Sequence, residues 1–211
     1  MIPYKHRFGQ RIKNDAEGSN LRAFLAHLHF TAAEAVAADT DGIVDGAAGT
    51  SGEGAEALVI VPADAAFIAQ PPCARNLTVT VAATTAGDVA AGNIVIAGMN
   101  EKGEEISENF AVTADTPATI TGTKAFKEIT SITVPVQDGD SVTVDVGWGT
   151  KLGIGYKLAH NTVLAAYRNN AKEGTAPTVA VSADALESNT MALNSALNGS
   201  VVDAYLIVPT E

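Results

Sequence analysis

The sequence predicts a mainly β protein: an antiparallel β-sandwich or barrel with an irregular N-terminal arm and a short helix. Three observations lead there. Apolar and polar residues alternate in short bursts across residues 76–155. Leu77, Val79 and Val81 are spaced by Thr78 and Thr80, and Val142, Val144 and Val146 by Thr143 and Asp145. A period of two puts one set of side chains on one strand face, so one face is buried and the other wetted. Glycine-rich turns separate the bursts at roughly the 8–12-residue spacing of a sandwich. The composition is rich in Ala, Thr, Val and Gly and only 5% aromatic. A chain of 211 residues can bury about 70% of its unfolded surface, enough for one sizeable β domain or two small ones.

In chain order, residues 1–19 read as irregular. Leu21, Phe24, Leu25 and Leu28 then fall at i, i+3, i+4 and i+7, with Asn20 as an N-cap, which predicts a helix over 20–29. The Ala-rich stretch Thr31 to Ala38 is compatible with helix or extended chain. Residues 39–56 hold many glycines and acidic residues and are expected to be a flexible loop without core contacts. Residues 1–57 thus form an arm, a short helix and a Gly-rich loop. Leu58 to Val61 is a short strand ended by Pro62, and Pro71-Pro72 marks a break.

Residues 93–112 read as a hairpin turning at Glu101-Lys102-Gly103-Glu104, with Ile106, Phe110 and Val112 on one face. Thr119 to Thr121, Ile129 to Val134 and Ser141 to Val146 supply further strands, the last two joined by a turn at Gln137 to Asp140. Residues 58–155 are the expected sandwich core. In 156–211, Thr162 to Tyr167 and Thr178 to Val181 suggest a hairpin across the loop 168–177. Asn198-Gly199 precedes a terminal strand with Val202, Ala204, Leu206 and Val208 on one face. This part either completes the same sheets or forms a small second subdomain.

The net charge of −11 argues against a nucleic-acid partner, since phosphate neutralisation needs clustered Lys and Arg. The charge is uneven. Residues 1–30 hold Lys5, Arg7, Arg11, Lys13 and Arg22 against Asp15 and Glu17, a net of +3, leaving −14 on the rest. A basic arm ahead of an acidic body suits docking on an acidic neighbour. Cys73 is the only cysteine, so no internal disulfide can form. No apolar run reaches membrane-spanning length, and Met1 to Arg7 has no apolar stretch behind it to make a secretory signal.

No catalytic set emerges. His27 and His29 are two apart, which on a helix points them about 200° apart, so no metal site is expected. Asp39, Asp41 and Asp45 with Gly42 lack the glutamate of a calcium loop, because position 50 is Thr. Residues 147–153 are glycine-rich but lack the Gly-Lys-Ser/Thr ending of a phosphate loop. The glycines are expected to permit a bulge at a strand end, with Trp148 packing on the sheet or on a partner. Cys73 reads as a buried structural thiol, and Glu104-Glu105 as solvent-exposed turn residues.

Several segments together suggest a family. They are Asn76 to Thr80, Asn100 to Glu108, Gly122 to Ile132, Val146 to Gly153, Leu186 to Thr190 and Val202 to Val208. In this order the chain resembles structural proteins of tailed bacteriophages and prophages over roughly 76–208. The resemblance implies no enzyme and no cofactor. It implies a capsid decoration (cement) protein that binds the outside of the shell, with the major capsid protein as partner, a homotrimer as the favoured state and the virion as location. The chain would be made in the bacterial host cytoplasm, with neither membrane nor nucleic acid bound. The partner-binding residues expected from the basic arm and its apolar anchors, with the Gly-flanked tryptophan, are Tyr4, Lys5, Arg7, Phe8, Arg11, Lys13, Arg22 and Trp148. The alternative is a tail or fibre component with a receptor- or carbohydrate-binding role, which exposed Trp148 and Tyr156 would favour.

Overall fold

The computed structural model describes residues 12–13 and 20–210, with side chains from 23 to 209. The chain is nearly all strand. The first strands are β1 (Ile12–Lys13), β2 (Asn20–Phe30), β3 (Asp39–Ala48), β4 (Leu58–Ile60) and β5 (Arg75–Ala83). There follow β6 (Gly92–Met99), β7 (Glu105–Val112), β8 (Ala118–Phe126), β9 (Glu128–Val134) and β10 (Val142–Gly153). The last are β11 (Val163–Arg168), β12 (Ala171–Lys172), β13 (Thr178–Ala180), β14 (Thr190–Ala192) and β15 (Val202–Thr210). The strands pair antiparallel throughout. Two single 3-10 turns, Ala86–Asp88 and Leu186–Ser188, are the only helical elements among the described residues.

Three sheets enclose two apolar cores. The sheet β4-β9-β6-β7 faces the sheet β13-β14-β10-β5-β8, which β3 joins through β10. Between them lies the first core, with Leu77, Val79, Val142, Val144 and Val146 from one sheet and Ile94, Ile96, Phe110 and Ile132 from the other. This is the sandwich the alternation predicts. The third sheet, β1-β2-β15-β11-β12, covers a second core. Ala26, Phe30, Val202, Ala204, Leu206 and Val208 pack there against Leu152, Ile154 and Met191. Strand β10 serves both cores. Its pairing with β5 slips between Trp148 and Leu152, and this bulge turns the strand from one core to the other, as the glycines of 147–153 suggest.

The hairpin at 93–112 forms as expected, and Gly103 takes a positive φ of 76° in its turn. The terminal strand also buries Val202, Ala204, Leu206 and Val208 as its pattern predicts.

Three expectations are corrected. The helix over 20–29 is the strand β2. Its inward set is Ala26, Leu28 and Phe30, and it pairs with β15 over nine positions, Arg22 to Phe30 against Thr210 to Val202. A ladder with a distant strand outweighs a local helical spacing. The loop expected at 39–56 contains β3, with Ile43 and Val44 fully buried in the first core. Three steps along β3, Val44 to Ala47, oppose two steps along β10, Val144 to Val146. A bulge of this kind breaks the alternation, which is why two successive side chains turn inward. The hairpin across 168–177 is also absent. β11 instead turns back at Asn169-Asn170, both with positive φ, into β12, while β13 pairs with β14 in another sheet. Two adjacent left-handed residues fit a tight two-residue turn. The segment Thr31 to Ala38 is neither helix nor strand but a turn closed by Thr31 and Ala35.

Candidate functional site

The richest constellation of side chains lies on the outer face of the third sheet. In β2, Ala26, Leu28 and Phe30 turn inward, so the intervening His27 and His29 must turn outward. In β15 the same parity sends Asp203, Tyr205 and Ile207 outward. The register places Asp203 opposite His29, Tyr205 opposite His27 and Ile207 opposite Leu25. From β11, Tyr167 lies beside Asp203 and Ala165 beside Tyr205.

Both histidines donate to one carboxylate oxygen. His27 Nε2 lies 2.7 Å and His29 Nδ1 2.8 Å from Asp203 Oδ1. The hydrogen bond from His29, helped by that from His27, holds the Asp203 carboxyl below its usual value, against the opposing effect of partial burial. The His27 ring stacks on Tyr205, with centroids 4.7 Å apart and planes 8° apart, and Tyr167 meets Tyr205 edge-on at 5.9 Å. The histidine side chains are about half exposed, at 46% and 50%, and the carboxylate is 15% exposed. Leu25, Leu164 and Ile207 add exposed apolar surface to the same sheet.

The objection that His27 and His29 diverge rests on a helix, and β2 is a strand. Two residues apart on a strand share a face. The signal was present as the alternation Ala26-His27-Leu28-His29-Phe30, which the helical spacing of the leucines masked. Asp203 could not be joined to them from sequence, because the pairing of first and last long strands is a tertiary event.

The expected partner-binding residues are placed unevenly. Tyr4, Lys5, Arg7, Phe8 and Arg11 lie outside the described residues. Lys13 is in β1 and Arg22 in β2, where the backbone alone is described. Trp148 is half-buried against the first core. Its indole N–H donates to the Ala37 carbonyl at 3.1 Å, and its ring lies so close to Gly42 that a Cβ there would sit 2.5 Å from it. Tyr156 is half-buried too, edge-on to Phe24 at 5.8 Å. Each therefore leaves part of its ring exposed and packs the rest against its own core.

A cleft of about 270 Å³, lined by Phe30, Glu34, Cys73, Glu101, Lys127 and Tyr156 among others, lies against the second core. Its charged groups are engaged. Lys127 approaches Glu101 at 3.8 Å, and Glu34 accepts from the Thr31 N–H at 2.9 Å and the Thr31 hydroxyl at 2.8 Å. Cys73 is buried, with its sulfur 3.6 Å from the Glu34 carbonyl. Burial pushes its thiol up to about 12, and Arg75 only partly opposes this. Native protein should therefore resist thiol reagents at pH 8 and react only in denaturant. A thiol whose folded pKa is raised keeps its proton where the unfolded chain loses it, so stability should fall as pH rises above 9.0. Denaturant midpoints at pH 8 and pH 10 check this, and Cys73→Ala should shrink the difference.

The acidic residues Asp39 and Asp41 lie on β3, where the hydrogen bond with Asp39 raises the Asp41 carboxyl. Glu104 and Glu105 are exposed at the start of β7, as expected. Compared with known proteins, the chain matches no family model, no curated protein and no solved structure.

Proposed function

We propose that this chain is a virion structural protein that binds the outside of a phage capsid and stabilises the shell. The observation that carries the reading is the ordered set of segments between 76 and 208 that resembles tailed-phage structural proteins. Two physical features support it. The body is a rigid antiparallel β framework with net acidity, which suits a protein held at high local concentration on a shell. The basic residues of the first thirty precede or fall in β1 and β2, and the sheet that contains these strands exposes Leu25, Leu164 and Ile207. Charge would speed docking, and apolar contact would set residence time. A ligand that binds only the assembled lattice stabilises it by mass action. The fibre reading would use Trp148 and Tyr156, each of which is half-buried.

The test is the copy number in purified particles of the virus that encodes the chain. Decoration requires hundreds of copies, whereas a tail or fibre part requires few. The contact is tested separately. Deleting residues 1–19 removes only the short β1 from the described framework, so the β body should keep its circular dichroism spectrum. Binding to undecorated particles should fall sharply, and Ser at Lys5, Arg7, Arg11 and Lys13 should weaken it most at low ionic strength. Saturation by the truncated chain at the same concentration as the full chain would move the contact to a sheet edge. A trimer is the state this reading favours, and light scattering at high concentration measures it.

A further inference from the structure

We propose that His27, His29 and Asp203 form a site for a divalent transition metal of the zinc class, and that the bound ion clips the first long strand to the last. The three ligand atoms lie within 4.8 Å of one another, on one open sheet face. Two of them already converge on the third, at 2.7 and 2.8 Å. A tetrahedral zinc ion with bonds near 2.0–2.1 Å to nitrogen and oxygen spaces its ligand atoms by roughly 3.3 Å. Loading the ion thus needs each histidine nitrogen to move about half an ångström away from the Asp203 oxygen, a motion that half-exposed side chains make by small torsions.

The donor set chooses the metal. Two imidazoles and one carboxylate suit zinc and its first-row neighbours, whereas calcium and magnesium want a shell of oxygens. Three protein ligands leave at least one coordination position open to water. The ligands are also held in place before the ion arrives. Tyr205 stacks on the His27 ring and is itself braced edge-on by Tyr167. The backbone of His29 is locked opposite Asp203 by the strand register. Ordering that is already present lowers the entropic cost of binding.

The position of the site gives the ion a structural consequence. His27 and Asp203 are 176 residues apart in sequence. An ion that bridges these distant points binds only the folded form, and so stabilises it in proportion to occupancy. The strands it joins, β2 and β15, roof the second core through Ala26, Phe30, Val202, Ala204 and Leu206.

Zinc chloride titrated into the full-length, tag-free, chelator-stripped chain tests the proposal by calorimetry. One equivalent should bind. At about a hundredfold excess over Kd the thermal midpoint should rise by roughly 5–10 °C. His27→Ala, His29→Ala and Asp203→Asn should each weaken binding by about tenfold to a hundredfold or more. His160→Ala, at an exposed position away from the trio, should leave it unchanged. Cobalt(II) gives a second readout, since its visible absorption reports nitrogen and oxygen ligation and should vanish in His29→Ala. If Asp203→Asn fails to fold, the two solvent-face histidine variants carry the test. No zinc heat in the wild-type chain, or equal binding in the histidine variants, overturns the site and leaves the trio a hydrogen-bonded patch.

Discussion

Arg75→Ala should destabilise the protein by about 3 kcal/mol or more. Arg75 is fully buried at the first position of β5, where the two cores meet. Its backbone pairs with Leu152 of β10 and Phe126 of β8. One guanidinium nitrogen donates to the Val36 carbonyl at 2.8 Å, and another donates to the Gly149 carbonyl. The side chain thus ties the turn after β2 to the bulge of β10. Truncation leaves a cavity and two carbonyls without their donor, each about 1–3 kcal/mol if buried. An opposing effect limits the loss. Burial lowers the guanidinium pKa to about 10, and its Nε has no partner among the described residues, so removing the cation relieves some desolvation. Arg75→Met keeps much of the volume and should lose less than Arg75→Ala. Urea midpoints of the three proteins measure the difference. An Ala variant as stable as the wild type would mean that the junction is held by apolar packing alone.

Gly147→Ala should cost about 3 kcal/mol or more, for the addition of one methyl group. A Cβ at position 147 would lie 1.9 Å from the Asp39 carbonyl oxygen and 2.5 Å from the Thr40 carbonyl carbon. Both are backbone atoms, so no side-chain rotation relieves the contact, and β3 must lift from β10. Lifting it withdraws Ile43 and Val44, both fully buried, from the first core. Each such side chain is worth about 1.5–3 kcal/mol when buried. Gly174→Ala is the control. It has open space and ordinary φ, and should change stability by less than about 0.5 kcal/mol. Hydrogen exchange should localise the Gly147→Ala loss to residues 39–48. Unchanged protection there would show that β3 tolerates displacement without leaving the core.

Both effects arise at places the linear pattern does not mark. Arg75 reads as a charged residue two positions after a cysteine, and Gly147 as one glycine in a glycine-rich stretch. Their weight comes from what the fold brings to them: a carbonyl of the 31–38 turn to Arg75 and the backbone of β3 to Gly147. The histidine pair shows the same division. Its outward alternation is legible in residues 26–30, but Leu21, Phe24, Leu25 and Leu28 at helical spacing give a competing period over an overlapping stretch. Nothing local decides between them.

The β class, the strands of 76–146, the hairpin turning at Gly103 and the inward face of the terminal strand were legible in the residue pattern alone. Each depends on a period of two or on turn chemistry, and both are local properties of a few consecutive residues. Only the tertiary structure decided that 20–30 is a strand, that the acidic segment 39–48 enters a sheet, and that Asp203 meets His27 and His29. Strand β2 gains its backbone partners from β15, some 170 residues away, and β3 gains its place from a bulge on β10 and a glycine that lets it approach. Hydrogen bonds in a sheet are made between segments, so a strand whose own pattern is weak or ambiguous is settled by the strand that pairs with it.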